Sequence, residues 1–193
     1  MALTPSTMIE LGAPAPDFTL PDAVSGRDFT RDEIAASSSS GGLLVMFICV
    51  HCPYVKHVAV ELSRIGAEYA GRIGIVAISS NDIVEFPQDA PAEMKKQADL
   101  LGFRFPYLFD ETQQVARAYH AACTPDFFLY DRSLHLAYRG QLDDSRPRRS
   151  GGGNDIPLSG KDLRAAMDAV IVGKVPSTEQ RTSLGCNIKW KSR

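Results

Sequence analysis

The sequence predicts an α/β fold, with a mixed central sheet and helices on both of its faces. Three observations lead to this class. A buried strand, a helix and a second buried strand follow one another over residues 43–79, two short strands form a hairpin over 127–138, and a helix follows at 161–173. The strands of a strand–helix–strand unit run parallel, whereas those of a hairpin are antiparallel. The sheet is therefore expected to be parallel in its first half.

The first strand is predicted over residues 43–48, because the run LLVMFI is apolar at every position. Such runs are typical of strands that are buried on both faces. A helix follows from Pro53 to about residue 70, and a second buried strand is predicted over 73–79. Apolar side chains recur along this helix at steps of three and four, which predicts one stripe packed on the sheet. They are Val55, Val58, Leu62, Ile65 and Tyr69.

The remaining elements continue this alternation. They are helices over 91–101 and 111–120, hairpin strands over 127–130 and 134–138, and the last helix over 161–173. A chain of 193 residues with 44% hydrophobic content can bury a single core, so one domain is expected over residues 1–173. The tail, residues 174–193, is polar but contains Ile188 and Trp190, which predicts that it docks on the domain.

Composition excludes several classes of function. The net charge is −2 with Lys and Arg scattered along the chain, so no nucleic-acid partner is expected. No apolar run approaches the roughly 18 residues that a membrane span needs, so no membrane is expected. The N-terminal segment MALTPSTMIELGAPAPDF lacks the charged and apolar regions of a signal peptide, which predicts a cytoplasmic protein.

Cys52 has the sequence context of a reactive thiol. A cysteine attacks as the thiolate, and a helix N-terminus lowers the pKa of a thiol placed there. Cys52 follows a buried strand and precedes Pro53, and proline is well suited to the first position of a helix. Cys49 lies three residues earlier, and His51 and Lys56 bring positive charge near the thiols. The segment CVHC therefore favours redox chemistry.

Other interpretations of these cysteines remain open. Cys49 and Cys52 could be small buried side chains at a strand end, or they could bind zinc or copper(I) together with Cys123 or Cys186. A structural zinc site usually has four Cys or His ligands at recurring spacings, and no second CxxC or HxxxH pair occurs in the sequence. We therefore expect no metal and no bound cofactor. Cys186 is interpreted as an apolar anchor beside Trp190, with a third redox thiol as the alternative.

Two further segments are expected near the thiols. Thr124 and Pro125 open a predicted strand, and a Thr-Pro pair in this place fits a cis peptide bond beside an active site. Asn81 and Asp82 follow the second buried strand, at the carboxyl end where open α/β sheets form their clefts. An ordinary loop turn is the favoured interpretation of this pair, with a supporting role at the site as the alternative.

Three segments, GAPAPDFTLPDAVSGRDF, LLVMFICVHCPYVKH and ACTPDFFLYD, resemble the AhpC/TSA redoxin branch of the thioredoxin superfamily. The resemblance covers about residues 11–172. Within this branch the chain is similar to thioredoxin-like proteins of the thiol–disulfide isomerase type that carry a CNHCPYVK-type segment and a C-terminal GCxIKW, present here as GCNIKW. The resemblance implies a thioredoxin-like fold.

The resemblance also implies roles for individual residues. Cys52 falls where thioredoxins carry the attacking cysteine, Val55 where they carry the second cysteine, and Pro125 where they carry the cis-proline. Peroxiredoxins would have threonine in place of Cys49 and proline in place of Val45, so the chain departs from their pattern. His51 resembles the histidine between the cysteines of the bacterial periplasmic disulfide oxidants, which stabilises the thiolate there. The alternative interpretation is a solvent-facing histidine beside the site.

We therefore predict a thiol–disulfide oxidoreductase in which the Cys52 thiolate attacks and Cys49 resolves the mixed disulfide. The predicted site comprises Cys52, Cys49, Pro125, Thr124 and His51. Its partners would be protein or small-molecule disulfides and a cellular thiol reductant. The closest alternative is an antioxidant thiol peroxidase, in which peroxide converts Cys52 to a sulfenic acid. A metal-binding module and a redox-inactive interaction scaffold are the remaining alternatives.

Overall fold

The computed structural model describes residues 3–148 and 153–192, so parts of the predicted domain and tail lie outside the described residues. In chain order the strands are β1 (Leu3–Pro5), β2 (Thr19–Pro21), β3 (Asp28–Thr30), β4 (Leu43–Phe47), β5 (Gly74–Ser79), β6 (Tyr107–Phe109), β7 (Cys123–Thr124), β8 (Asp126–Tyr130), β9 (Leu136–Gly140) and β10 (Leu184–Asn187). The helices are α1 (Arg31–Ala36), α2 (Pro53–Glu68), α3 (Pro91–Leu101), α4 (Gln114–Ala118) and α5 (Lys161–Ile171).

The central sheet has five strands in the order β6-β5-β4-β8-β9. Strands β4, β5 and β6 are parallel, whereas β8 runs antiparallel to both β4 and β9. The sheet is therefore mixed and parallel in its first half, as predicted. Strand β4 occupies the centre, which explains why it is apolar at every position.

Helices cover both faces of the sheet, which confirms the predicted fold class. Along β4, Leu44 and Met46 belong to a core cluster with side chains of α2, α3 and α5. Val45 and Phe47 point to the opposite face and join a second cluster with side chains of α1 and α4. All four side chains are fully buried. Within the described residues, no helix is long and apolar enough to span a membrane.

The predicted elements are present, and most of their boundaries differ from the predicted ones by one to three residues. Two of these differences have a clear local reason. Helix α4 begins at Gln114 rather than at residue 111, because Gln113 takes a left-handed conformation that cannot continue a helix. The second hairpin strand begins at Leu136, because Leu134 also has a positive φ and the carboxylate of Asp131 accepts the N–H of His135. Both segments are turns that hydrogen bonds close.

The termini form a second sheet that the sequence did not predict. Its strand order is β1-β10-β7, and both pairings are antiparallel. After β10, Ile188 is buried in the core cluster that contains Val45 and Phe47. Trp190 remains partly exposed, with the guanidinium of Arg117 4.4 Å from its ring centroid. Strand β10 thus inserts between the N-terminus and the segment that precedes β8.

Candidate active site

Cys52 lies at the junction between β4 and α2, at the centre of the fold. It is the N-cap of α2 with an extended backbone, and Pro53 occupies the first helical position. Proline favours this start because its fixed φ suits a helix and the N–H it lacks would have no partner there. The Cys52 side chain is fully buried. The local sequence therefore places a thiol at the positive end of the helix dipole.

Several groups stabilise the thiolate of Cys52. The pKa of this thiol is lowered, mainly by a hydrogen bond from Cys186 and then by one from Cys49, and burial opposes this shift. The Cys52 Sγ lies 2.9 Å from the Cys186 Sγ. The protonated Cys52 thiol also donates to the carbonyl oxygen of Thr124 at 3.1 Å, an acceptor that stabilises the thiol and not the thiolate. The sulfur forms no standard capping hydrogen bond, but the N–H of Val55 in the first turn also lowers the pKa. The helix terminus acts as predicted, although it is not the largest influence.

Cys49, Cys123 and Cys186 are buried, and the pKa of each is raised. The pKa of Cys49 rises through its interaction with Cys52 and through burial, and that of Cys123 rises through burial. The pKa of Cys186 rises mainly because its thiol donates to Cys52. Cys52 is therefore the one cysteine of the chain whose environment favours the thiolate.

Thr124 contacts both cysteines of the CVHC segment. Its hydroxyl lies 3.4 Å from the Cys49 Sγ, and its carbonyl oxygen faces the Cys52 Sγ. The Thr124–Pro125 peptide bond is cis, as predicted. Because Thr124 ends β7 and Pro125 directly precedes β8, the central sheet fixes the position of this contact.

His51 is held by a buried carboxylate that sequence analysis did not identify. Asp89 Oδ1 accepts the backbone N–H groups of Val50 and His51 at 2.9 and 3.0 Å, and Oδ2 lies 2.5 Å from His51 Nδ1. The His51 ring stacks on Phe86 with a centroid distance of 5.7 Å. The interactions that lower the pKa of Cys52 most do not include His51. Its contacts therefore fix the loop between the cysteines.

Asn81 links this loop to the C-terminal segment. Its amide donates to Asp89 Oδ2 at 2.7 Å, and its Oδ1 accepts the N–H of Lys189 at 2.8 Å. Burial raises the pKa of Asp89, but hydrogen bonds from His51 and Asn81 outweigh it, and the net pKa is lowered. Asn81 thus has a supporting position at the site. Asp89 was missed because it lies 38 residues from His51, on a turn without a recognisable motif.

One group of side chains among the described residues has the spacing of a metal site. The potential ligand atoms of Cys49, His51 and Asp89 lie within 4.8 Å of one another. However, both oxygens of Asp89 already accept hydrogen bonds, and His51 Nδ1 is engaged with one of them. The raised pKa of Cys49 also disfavours the thiolate that a metal requires. The potential ligand atoms are thus used in hydrogen bonds that hold the loop, and they do not fit a metal centre.

Cys186 lies at the site through the pairing of β10. It is paired with Leu3 of β1 on one side and with Thr124 of β7 on the other. Its side chain is buried, as expected of the apolar anchor, but the sulfur contacts Cys52 rather than only apolar groups. The motif GCNIKW indicated that the C-terminal segment is important, but it did not indicate which residue Cys186 would contact.

Known proteins resemble this chain at two levels. The AhpC/TSA family matches residues 11–139. An uncharacterized conserved protein from Geobacillus kaustophilus shares 46% identity, covering 100% of this chain and 98% of that one with a TM-score of 0.92. A hypothetical protein from Sinorhizobium meliloti 1021 shares 47% identity, with coverages of 98% and 100% and a TM-score of 0.91.

A more distant structure shares the fold. It is a proposed thiol:disulfide interchange protein DsbE from Chlorobium tepidum, with 19% identity, coverage of 84% of this chain and 99% of that one, and a TM-score of 0.61. No curated protein is significantly similar in sequence. The fold is thus thioredoxin-like, and the chain belongs to the AhpC/TSA family.

Proposed function

We propose that the protein is a thiol–disulfide oxidoreductase whose attacking group is the Cys52 thiolate. The observation that carries this proposal is the position of Cys52, which is the N-cap residue of α2 and whose sulfur lies 2.9 Å from the Cys186 Sγ. The contrast among the four thiols agrees with it. The pKa of Cys52 is lowered, whereas those of Cys49, Cys123 and Cys186 are raised. Because the thiolate is the nucleophile, this contrast directs attack to one sulfur.

The first step is an exchange of sulfur bonds. The Cys52 thiolate attacks one sulfur of a substrate disulfide, a new S–S bond forms to Cys52, and the second substrate sulfur leaves as a thiolate. A second protein thiol then displaces the bound half of the substrate. Sequence analysis assigned this resolving role to Cys49, and that assignment stays a prediction. A cellular thiol reductant would return the resulting disulfide to two thiols.

The burial of Cys52 supports a second candidate function. The side chain has no exposed area, and β10 lies against the site. A small oxidant such as a peroxide reaches a covered thiolate more easily than a protein disulfide does. In a thiol peroxidase, the Cys52 thiolate would attack one peroxide oxygen, the O–O bond would break, and the other oxygen would leave as water or an alcohol. A neighbouring thiol would then condense with the Cys52 sulfenic acid to form a disulfide and release water.

The proposal is tested by thiol reactivity and by turnover. Alkylation of the reduced protein at pH 6, followed by peptide mapping, should label Cys52 before the other cysteines. Cys52→Ser should abolish reduction of a disulfide substrate. Cys123→Ala is the matched control, because it also removes a buried thiol and should retain activity. First labelling at another cysteine, or full activity in Cys52→Ser, would overturn the proposal.

Stopped-flow kinetics separate the two candidate functions. A disulfide oxidoreductase should reduce a small disulfide such as oxidised glutathione faster than it consumes hydrogen peroxide, at equal concentrations. The reverse order would favour the peroxidase. The cytoplasmic location and the thiol reductant stay predictions. Both agree with the proposed function, because a reducing compartment would keep the four cysteines as thiols between turnovers.

A further inference from the structure

The C-terminal strand brings another thiol into contact with Cys52. The two sulfurs are 2.9 Å apart, whereas a disulfide bond is about 2.05 Å long. Cys49 also interacts with Cys52, but less strongly than Cys186 does, and its sulfur is engaged with the hydroxyl of Thr124 at 3.4 Å. We propose that Cys186, rather than Cys49, is the resolving cysteine, and that the enzyme cycles through a Cys52–Cys186 disulfide. This inference rests on the proposed attack by Cys52.

Backbone pairing holds Cys186 in place on both sides. Strand β10 lies between β1 and β7, with Cys186 opposite Leu3 and Thr124. Before the cysteine, the Ser183 hydroxyl donates to the carbonyl oxygen of Pro125 at 2.7 Å. After it, the N–H of Lys189 donates to the buried Asn81. The thiol is therefore presented by an anchored strand, and such preorganisation is what an intramolecular attack requires.

Gly185 permits the close approach of this strand. A Cβ atom at this position would lie 2.1 Å from the carbonyl oxygen of Thr124. Any side chain would therefore push β10 away from β7. That displacement would separate Cys186 from Cys52, because Cys186 is the next residue and is paired with Thr124. The absence of a side chain at Gly185 therefore allows the sulfur of Cys186 to contact the sulfur of Cys52.

The pKa of Cys186 is expected to change between the two attacks in the direction that the second attack requires. In the reduced protein, the pKa of Cys186 is raised chiefly because its thiol donates to the Cys52 thiolate. Once Cys52 has formed a mixed disulfide, that negative charge is gone and this cause of the raised pKa disappears. The charge of Lys189 also lowers the pKa of Cys186. Deprotonation of Cys186 therefore becomes easier at the stage when its thiolate is needed.

The second step balances the reaction. The Cys186 thiolate attacks the Cys52 sulfur, an S–S bond forms between them, and the bond from Cys52 to the substrate breaks. The substrate half leaves as a thiolate and takes up the proton that Cys186 released. Overall, the Cys52 thiolate and the Cys186 thiol lose two electrons and one proton, and the substrate disulfide becomes one thiolate and one thiol.

Disulfide mapping of the full chain tests this assignment. The reduced protein is incubated with oxidised glutathione, quenched with acid and N-ethylmaleimide, and digested with trypsin without reduction. Cleavage gives a peptide of residues 32–56 with Cys49 and Cys52, and a peptide of residues 182–189 with Cys186. We expect a cross-link between these two peptides. An internal disulfide in the first peptide would instead assign resolution to Cys49 and overturn the inference.

Two serine variants provide the matched comparison. Cys186→Ser should accumulate a glutathione adduct on Cys52. Cys49→Ser should still form the Cys52–Cys186 disulfide, at a rate that the changed hydrogen bond to Cys52 lowers. The opposite pattern would overturn the inference and leave the attack by Cys52 intact. Because the wild-type cross-link is measured independently, a folding defect in either variant does not remove the test.

Failure of the proposed function gives a different result. If oxidised glutathione leaves Cys52 unmodified in every variant, disulfide exchange by Cys52 is wrong. Hydrogen peroxide then serves as a second oxidant. A Cys52–Cys186 cross-link formed only with peroxide would support Cys186 as the resolving thiol while rejecting disulfide exchange. No cross-link with either oxidant would overturn both proposals.

Discussion

Two regions flank the Cys52 sulfur, and they are held in different ways. The loop that contains Cys49 and His51 is adjacent in sequence, and one buried carboxylate, Asp89, accepts its backbone N–H groups. Strand β10, which carries Cys186, is 134 residues away from Cys52. It is held by backbone pairing on both edges and by the absence of a side chain at Gly185.

Because the two supports differ, we expect that each neighbouring thiol can be displaced with little effect on the other. Loss of the carboxylate should loosen the loop, whereas a steric change in β10 should move Cys186 alone. The two supports meet at Asn81, which donates to Asp89 and accepts from the backbone of Lys189. The segment at the carboxyl end of β5 therefore positions both sides of the site. Clefts of open α/β sheets generally lie at this end of the strands.

The largest effect is expected from Asp89→Ala. The substitution leaves the N–H groups of Val50 and His51 and the amide of Asn81 without their acceptor. Loss of a buried, hydrogen-bonded charge should lower the free energy of unfolding by about 4 kcal/mol. Denaturant unfolding measures this change.

Asp99→Ala is the matched control for Asp89→Ala. Asp99 is an exposed aspartate that forms a surface ion pair with Lys95. Its removal should change the free energy of unfolding by no more than about 0.5 kcal/mol. Equal losses for the two variants would mean that Asp89 does not hold the loop.

Ile188→Ala tests the support of the other region. Ile188 follows β10 and is 1% exposed within the core. Truncation of a buried isoleucine leaves a cavity, and the free energy of unfolding should fall by about 3 kcal/mol. Val175 lies in the same tail but is 85% exposed, so Val175→Ala should change it by less than about 0.5 kcal/mol. A negligible loss for Ile188→Ala would show that the tail does not contribute to the core.

Gly185→Ala separates the two regions most directly. The new methyl group would overlap the carbonyl oxygen of Thr124, so β10 must shift. We expect formation of the Cys52–Cys186 disulfide to slow on the order of tenfold, because an intramolecular attack is sensitive to displacement of the reacting atoms. Peptide mapping at timed intervals measures the rate.

Gly71→Ala controls for the loss of a glycine as such. Gly71 has a positive φ, but a Cβ atom there would contact nothing within 4 Å. The control should lose some stability from backbone strain and keep the rate of disulfide formation. If both glycine variants slow the reaction equally, the close approach of β10 is not the cause.

The loop side of the site could be predicted from sequence because its information is local. The apolar run before Cys52 predicted β4, and Pro53 predicted where α2 begins; both are confirmed. The cis bond at Thr124–Pro125 was predicted from its position before a strand together with the family resemblance, and it is also confirmed. These inferences use neighbours within a few residues, where backbone sterics decide the structure.

The strand side could not be predicted, because its contacts are nonlocal. Nothing near Cys186 in the sequence indicates that it pairs with Thr124 and Leu3, because both partners belong to segments far away in the chain. Cys186 was therefore interpreted as an apolar anchor. Asp89 was missed for the same reason, since its partners in the loop are far away in sequence. For both residues, the sequence shows the chemistry of the side chain but not the residues that it contacts.

The smallest expected effect concerns the acidity of Cys52, and it distinguishes the two regions by titration. The hydrogen bond from Cys186 is the largest influence that lowers the pKa of Cys52. Cys186→Ala removes this donor, so the pKa of Cys52 should rise and the pH profile of its alkylation should move to higher pH. The rate at pH 6 should fall, whereas the rate at pH 9 should approach that of the wild type. Cys186→Ser keeps a hydroxyl donor and should restore most of the profile. His51→Asn alters the loop side and should leave the midpoint nearly unchanged, because His51 contacts Asp89 rather than the sulfur. A larger shift in His51→Asn than in Cys186→Ala would show that the loop, and not β10, controls the thiolate.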